Sequence, residues 1–223
     1  MKRRELLVAL AAGALAEGST SLAQAAEAKF TDQIELPKPN LTGTVSLEEA
    51  IAKRRSVRRF ASKPLPVEAI GQLMWAGQGI TNSDGKRAAP AAGALYALEL
   101  YVVTATEVMH YLPEGHRAEK RASHDLRPEL RALAVNQASV EAAPALLVVA
   151  ADPSRLTARY GGRANLYADL EVGHATQNML LQVVALGLVA VPVGAVDGAP
   201  AARKLGLPRG QTVLYLIPVG YPA

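Results

Sequence analysis

Residues 54–60, "RRSVRRF", gather Arg54, Arg55, Arg58 and Arg59 around a single hydroxyl, Ser56. The stretch before them, "SLEEAIAKRR", opens on Ser46 with Glu49 three residues later, the pattern of a capping box, and carries Leu47, Ala50 and Ile51 as an apolar stripe. That predicts a helix from about Leu47 to Arg55, with its arginines in the last turn, where they complement the helix dipole. Beyond it "SVRRF" reads as extended chain, so Ser56, Arg58 and Phe60 fall on one side and Val57 and Arg59 on the other. Ser56 and Arg58 can then meet one ligand together. From these residues alone two readings stay open: a solvated charged patch, or a seat for an anion.

The rest of the chain narrows the possibilities. Its 223 residues are 50% hydrophobic and 20% charged, the composition of a globular domain with one well-filled core. Having no cysteine, it forms neither disulfides nor thiolate metal sites. A net charge of +4 and an aromatic content of 4% argue against a nucleic-acid partner. Lys2, Arg3 and Arg4 precede an apolar run from Leu6 to Ala16, and Ala23 and Ala25 offer a small-residue cleavage site, so residues 1–25 are expected to be a signal peptide. The run is shorter than the roughly 20 residues of a membrane-spanning helix, and no stable membrane anchor is expected. The Arg3-Arg4 pair is similar to the twin-arginine type of signal, which implies an exported, periplasmic protein. Residues 26–43 read as a surface arm, and residues 44–223 as one domain.

Within that domain "PVEAIGQLMWAGQG" starts a helix at Pro66 and ends it near Gly77 or Gly79. The β-branched runs at residues 98–105, 145–151 and 213–220 read as strands. Helices are predicted from about Arg127 to Glu141 and from Leu166 to Leu186, the second stopped by Gly187. On the latter, Glu171, His174 and Asn178 share a side. That side is either solvated or a buried polar row that needs partners. "GITNSDGK" (79–86) is one residue too long for a phosphate loop and follows a helix instead of a strand. His110, His116 and His124 match no compact metal spacing, and no G-x-S-x-G nucleophile motif occurs.

Residues 46–60, followed by "LMWAGQGITNSDGKRAAPAAGALYALELYVV" (73–103), "MHYLPEGH" (109–116), "EAAPALLVV" (141–149), "RYGGR" (159–163), "EVGHATQNMLLQ" (171–182), "ALGLVAVPVGAV" (185–196) and "LYLIPVG" (214–220), resemble the flavin-dependent nitroreductase superfamily. The likeness is greatest to the branch of azoline-oxidising, peptide-modifying dehydrogenases. It implies an α+β, nitroreductase-like fold, a central and mainly antiparallel sheet flanked by helices, in a homodimer with FMN at each of two interface sites. On this resemblance Arg54 and Arg58 hold the phosphate or ribityl chain, Ser56 bonds to the same region, and Arg55 approaches the polar edge of the flavin. Planar guanidinium groups suit phosphate because they offer paired, charge-assisted hydrogen bonds. "PAAGAL", with Pro90, Ala91, Ala92 and Gly93, matches a loop that covers the flavin of the partner subunit. Ala91 stands where serine is commoner. Val193 and Gly194 match the backbone beside the flavin's N5, and Gln137 stands where an amide reaches the pyrimidine edge. The implied activity is ping-pong oxidoreduction of a small molecule, with NAD(P)H possible as reductant. The alternative is a flavin-binding or redox-sensing module with little turnover.

Overall fold

The computed structural model describes residues 32–223. The expected signal peptide and residues 26–31 of the arm lie outside the described residues. Seven strands, β1 (Gln33–Glu35), β2 (Leu98–Thr104), β3 (Val108–Leu112), β4 (Arg117–Ala122), β5 (Ala145–Ala151), β6 (Val189–Ala190) and β7 (Thr212–Gly220), form one sheet in the order β1-β4-β3-β2-β5-β7-β6. Every neighbouring pair is antiparallel. The helices are α1 (Leu47–Lys53), α2 (Val67–Gln78), α3 (Arg127–Leu133), α4 (Ala138–Ala142), α5 (Ser154–Tyr160), α6 (Ala164–Ala185) and α7 (Gly198–Lys204). No helix among the described residues is long and apolar enough to cross a membrane.

The sheet is covered on both faces, and the strands show it. β5, "ALLVVAA", sits between β2 and β7 and is buried at every position, which is why its sequence shows no alternation. Along β2, Leu98, Leu100 and Val102 pack with Leu73 and Met74 of α2 and Met179 of α6, whereas Tyr101 and Val103 pack with Leu130 of α3, Val140 of α4 and Ala201 of α7. The buried Tyr101 hydroxyl is satisfied by donating to Gln211 Oε1 at 2.7 Å.

Two helix ends set the position of the arginine segment. At the start of α1, Ser46 Oγ accepts from the Glu49 N–H at 3.1 Å, while the Glu49 carboxylate turns to Lys53 Nζ at 2.6 Å, so only half of the expected capping box forms. α1 stops at Lys53, and the arginines follow the helix instead of closing its last turn. α6 ends in a Schellman turn: Gly187, at φ 68°, donates to Val184 O and Leu188 donates to Val183 O. The chain is thereby turned into β6, and Ala190 O accepts from the Val57 N–H at 2.9 Å, laying the extended segment along the sheet edge with Ser56 opposite Ala190.

Four expectations need correction. The single helix over Arg127–Glu141 is two short ones, because Val135 and Asn136 both adopt left-handed φ of 53° between them. Part of the arm, Gln33–Glu35, is an edge strand paired with β4. The polar stretch before residue 127 folds into β3 and β4, whose charged sequence, "RAEKRA" in β4, hid the strand pattern. The Glu171–His174–Asn178 side is not uniform: Glu171 is buried, Asn178 is half-buried and His174 is exposed.

His110 belongs to a charged network on the outer part of the sheet. Its Nε2 lies 2.7 Å from Glu99 Oε2, and Arg155 pairs with the other Glu99 oxygen. Burial alone would raise the Glu99 pKa, but the hydrogen bonds and charges of His110 and Arg155 outweigh it and hold the carboxyl below its ordinary value. A carboxylate with a lowered folded-state pKa stabilises the fold above its unfolded pKa and loses that contribution as pH falls through the folded one. Glu99→Gln should therefore lower the melting temperature at pH 7 by several degrees, corresponding to about 1–3 kcal/mol. Melting curves of both proteins taken down to pH 3 should show that gap closing, and a gap independent of pH would refute the ionic contribution.

Candidate active site

The sequence-predicted residues fall into two groups within one chain. The first contains the arginine segment and the turn after β6. Ser56 and Arg58 are exposed, Arg54 is half-buried, and Arg54, Arg58 and Arg59 form no side-chain hydrogen bond or ion pair among the described residues. Arg54 borders a pocket with Val57, Leu180, Val183 and Leu188. Arg55 bonds locally: its Nη1 donates to Ala52 O at 2.9 Å and Arg54 O at 2.8 Å, capping the carbonyl end of α1. An approach to a flavin edge would have to break both bonds.

From Ala190 the chain runs on to Val193, whose N–H donates to Leu216 O at 2.8 Å and which is buried. Gly194 follows, exposed, and a Cβ there would lie 3.0 Å from Tyr215 Cε1. Four residues of extended chain separate Ser56's neighbour Ala190 from Gly194, roughly 13 Å. Gln137 caps α4 at the α3–α4 junction, and that junction is tied to the same turn by the Asp197 N–H donating to Leu133 O at 2.9 Å. The structure thus brings Arg54, Ser56, Arg58, Val193 and Gly194 onto one edge of the sheet and ties the α3–α4 junction carrying Gln137 to the turn beside them.

Pro90, Ala91, Ala92 and Gly93 form the second group. Gly93 has φ 59°, and a Cβ there would sit 2.7 Å from Tyr160 Oη and 2.8 Å from Arg159 Nη1. The loop therefore packs just before α6 begins, whereas Arg54 lies beside Leu180 and Val183 toward that helix's far end. The loop runs along that helix: Ala88, two residues before Pro90, accepts from Asn178 at 3.3 Å, while Gly93 lies against Arg159 and Tyr160.

Two features escaped the sequence reading, and a third, the burial of Glu171, was one of the two alternatives it left open. Arg159 and Tyr160 back the 90–95 loop, although "RYGGR" carried no assigned role. In the left-handed pair next to Gln137, Asn136 is a residue that favours this conformation, but Val135 is β-branched and rarely adopts it, so the pair did not read as a break. Glu171 is 1% exposed, and neither of its oxygens makes a hydrogen bond of ordinary geometry. Burial pushes its pKa up to about 7, against the opposing pull of the Ala97 and Leu98 backbone and of Arg87 and Arg155.

A covered α+β sheet thus carries, at one edge, guanidinium groups that are unpaired among the described residues and, further along, an exposed glycine backbone. The nitroreductase family model matches residues 51–221. A Methanocaldococcus jannaschii protein assigned to the nitroreductases, MJ1384, is 37% identical over 195 residues, covering 85% of this chain and 97% of that one. The solved structure of a Ralstonia eutropha JMP134 protein, likewise assigned to the nitroreductases, superposes with a TM-score of 0.78 at 26% identity over 86% of this chain and 90% of the other. The NADPH:FMN oxidoreductase of Vibrio harveyi, solved in complex with NAD+, gives 0.59 at 27% identity, covering 79% and 68%. A chain of the E. coli microcin synthetase McbBCD complex shares the fold at a TM-score of 0.66 and 20% identity, covering 87% of this chain and 80% of that one. The chain belongs to the nitroreductase family and is a flavin-dependent oxidoreductase.

Gly93 is the position where the second group is most sensitive. Gly93→Ala adds a methyl into the Tyr160 and Arg159 side chains at a left-handed φ, and should cost about 1–3 kcal/mol. Thermal melting with a matched Gly85→Ala control, a left-handed glycine with open space around it, separates crowding from backbone strain. Equal losses at both sites would show that the packing against Tyr160 contributes nothing.

Proposed function

We propose that the chain binds FMN and works as a homodimer, transferring hydride equivalents from a reductant such as NAD(P)H to a nitroaromatic, quinone or other small acceptor. The observation that carries this reading is the set of cationic and hydroxyl groups at the sheet edge, Arg54, Ser56 and Arg58, whose side chains have no partner among the described residues. Two guanidinium groups held beside one hydroxyl and facing solvent fit a phosphate, whose charge and acceptor oxygens they would satisfy. The exposed backbone at Gly194 has no side chain of its own in the way of a planar ring. FMN, when bound, supplies the atom that accepts and returns hydride.

What this chain contributes is binding, orientation and exclusion of water. Arg54 and Arg58 would hold the anionic end, and their positive charge favours the more negative state of the cofactor. The α3–α4 junction carries Gln137 toward the turn at Gly194. Loop 90–95 would close over the flavin of the partner subunit. One feature supports the dimer: α1 and α6 leave Leu47, Ile51, Leu166 and Leu170 exposed at 61%, 56%, 53% and 51%. Apolar side chains on two helices call for a cover. The "LAQAAEA" segment and the Arg3-Arg4 pair support export of the protein to the periplasm, with twin-arginine passage allowing FMN to be loaded first. Cell fractionation with the uncleaved chain recovered only from the cytosol would remove that part.

The purified protein should be yellow, with a flavin spectrum bleached by dithionite or NAD(P)H and restored by an acceptor. Arg58→Ala should weaken FMN binding by about tenfold or more. FMN content unchanged in that variant would overturn the phosphate assignment. A flavin that dithionite reduces but no acceptor re-oxidises would favour a binding or redox-sensing module over an enzyme.

A further inference from the structure

Glu171 has no part in the reading above, yet it is a carboxyl group buried in the core face of α6 without an ordinary hydrogen bond. Its surroundings give it a task. The loop between residues 88 and 97 is held to α6 at two points seven residues apart on that helix. Near one end, Asn178 Nδ2 donates to Ala88 O at 3.3 Å. Near the other, Glu171 lies against the backbone N–H groups of Ala97 and Leu98. Two helical turns separate the anchors, about 10 Å. Between them Gly93, Ala94 and Tyr96 all have left-handed φ, of 59°, 55° and 51°. Two of those three carry side chains, so the closed loop is held against local strain.

The charged groups within reach of Glu171 come from two other elements. Arg87, in the hairpin that precedes the loop, donates to Gln78 Oε1 at 3.0 Å and lies over the Tyr96 ring at 4.3 Å. Arg155, on α5, donates to Tyr96 O at 3.0 Å and pairs with Glu99. Both cations are committed to other partners, and neither forms an ion pair with Glu171. The carboxyl therefore sits where the loop joins β2, with no counter-ion in contact.

We propose that Glu171 is a positioning residue worked by a proton: uncharged, it lets loop 88–97 lie closed on α6, and ionised, it favours a raised loop in which the carboxylate reaches water. On the reading that this loop covers the flavin, the grip on FMN weakens as pH rises through neutrality. The direction follows from linkage. Beneath the closed loop the carboxyl ionises at about 7, against an ordinary value of 4.5. The closed form therefore binds more protons than the open form between those values, and raising the pH draws the equilibrium toward opening. Asn178, which is uncharged, keeps the other end anchored in both states.

Hydrogen exchange of the full-length, flavin-free protein, corrected for the intrinsic pH dependence of exchange, reads the loop directly. Peptides covering residues 88–97 should lose protection by at least about threefold between pH 6 and pH 8. Glu171→Gln, a neutral isostere, should keep the pH 6 protection at both values, and Glu171→Asp should retain the pH effect. The same loss in Glu171→Gln, or no loss in the wild type, overturns the proposal. Arg87→Gln provides a second route should Glu171→Gln not fold: without the nearby cation the change should move to higher pH, and an unmoved transition counts against the proposal. FMN titration adds the functional arm, with wild-type affinity several-fold weaker at pH 8 than at pH 6 and Glu171→Gln flat. A wild type that binds no FMN at either pH defeats the reading of the site, while the exchange data on the loop still decide the role of Glu171.

Discussion

Burial of α6 against the sheet and α2 is the interaction on which the rest of the molecule depends. Ala168, Val172, Ala175, Met179 and Val183 point into the core, and Met179 is fully buried beside Leu100 and Gly77. Gly77 is there for a physical reason: a Cβ at that position would stand 2.8 Å from Leu100 Cδ1 and 3.1 Å from Met179 Sδ. Small residues on both helices let α2 and α6 approach closely, and this approach sets where each end of α6 emerges. The far end delivers the Schellman turn and β6 to the arginine segment. The near end supports Tyr160 and the 90–95 loop.

One helix supports both groups of site residues: Leu180 and Val183 border Arg54, while Asn178 holds Ala88 at the start of the loop. Glu171 lies on the buried face of the same helix, against the backbone where the loop joins β2.

Much of the architecture was legible in the sequence, for reasons that differ from element to element. β5 and β7 announced themselves through continuous β-branched and apolar runs, and α6 through a long helical stretch closed by Gly187. β3 and β4 did not, since strands with a partly solvated face carry charged residues and lose the apolar pattern. The break at Val135-Asn136 was illegible because the left-handed conformation there goes against local preference and is imposed by the surrounding packing. Within the site, the chemistry of Arg54, Ser56 and Arg58 could be inferred from residue type. The binding of Arg55 to the α1 carbonyls could not, because it depends on where the helix stops. Glu171 was visible as one of three polar residues on a helix face, but only the fold distinguishes the buried one from exposed His174.

The two borders of the sheet differ from its middle. β1 is three residues long and flanked by charged and polar side chains, and β6 is two residues long with residues 56–60 laid across it, Phe60 bridging to Pro222. Neither border offers a run of free main-chain donors and acceptors, and such short, blunted margins resist pairing with a strand from another molecule. Strand-to-strand growth into an open-ended fibre is accordingly disfavoured at both of these margins.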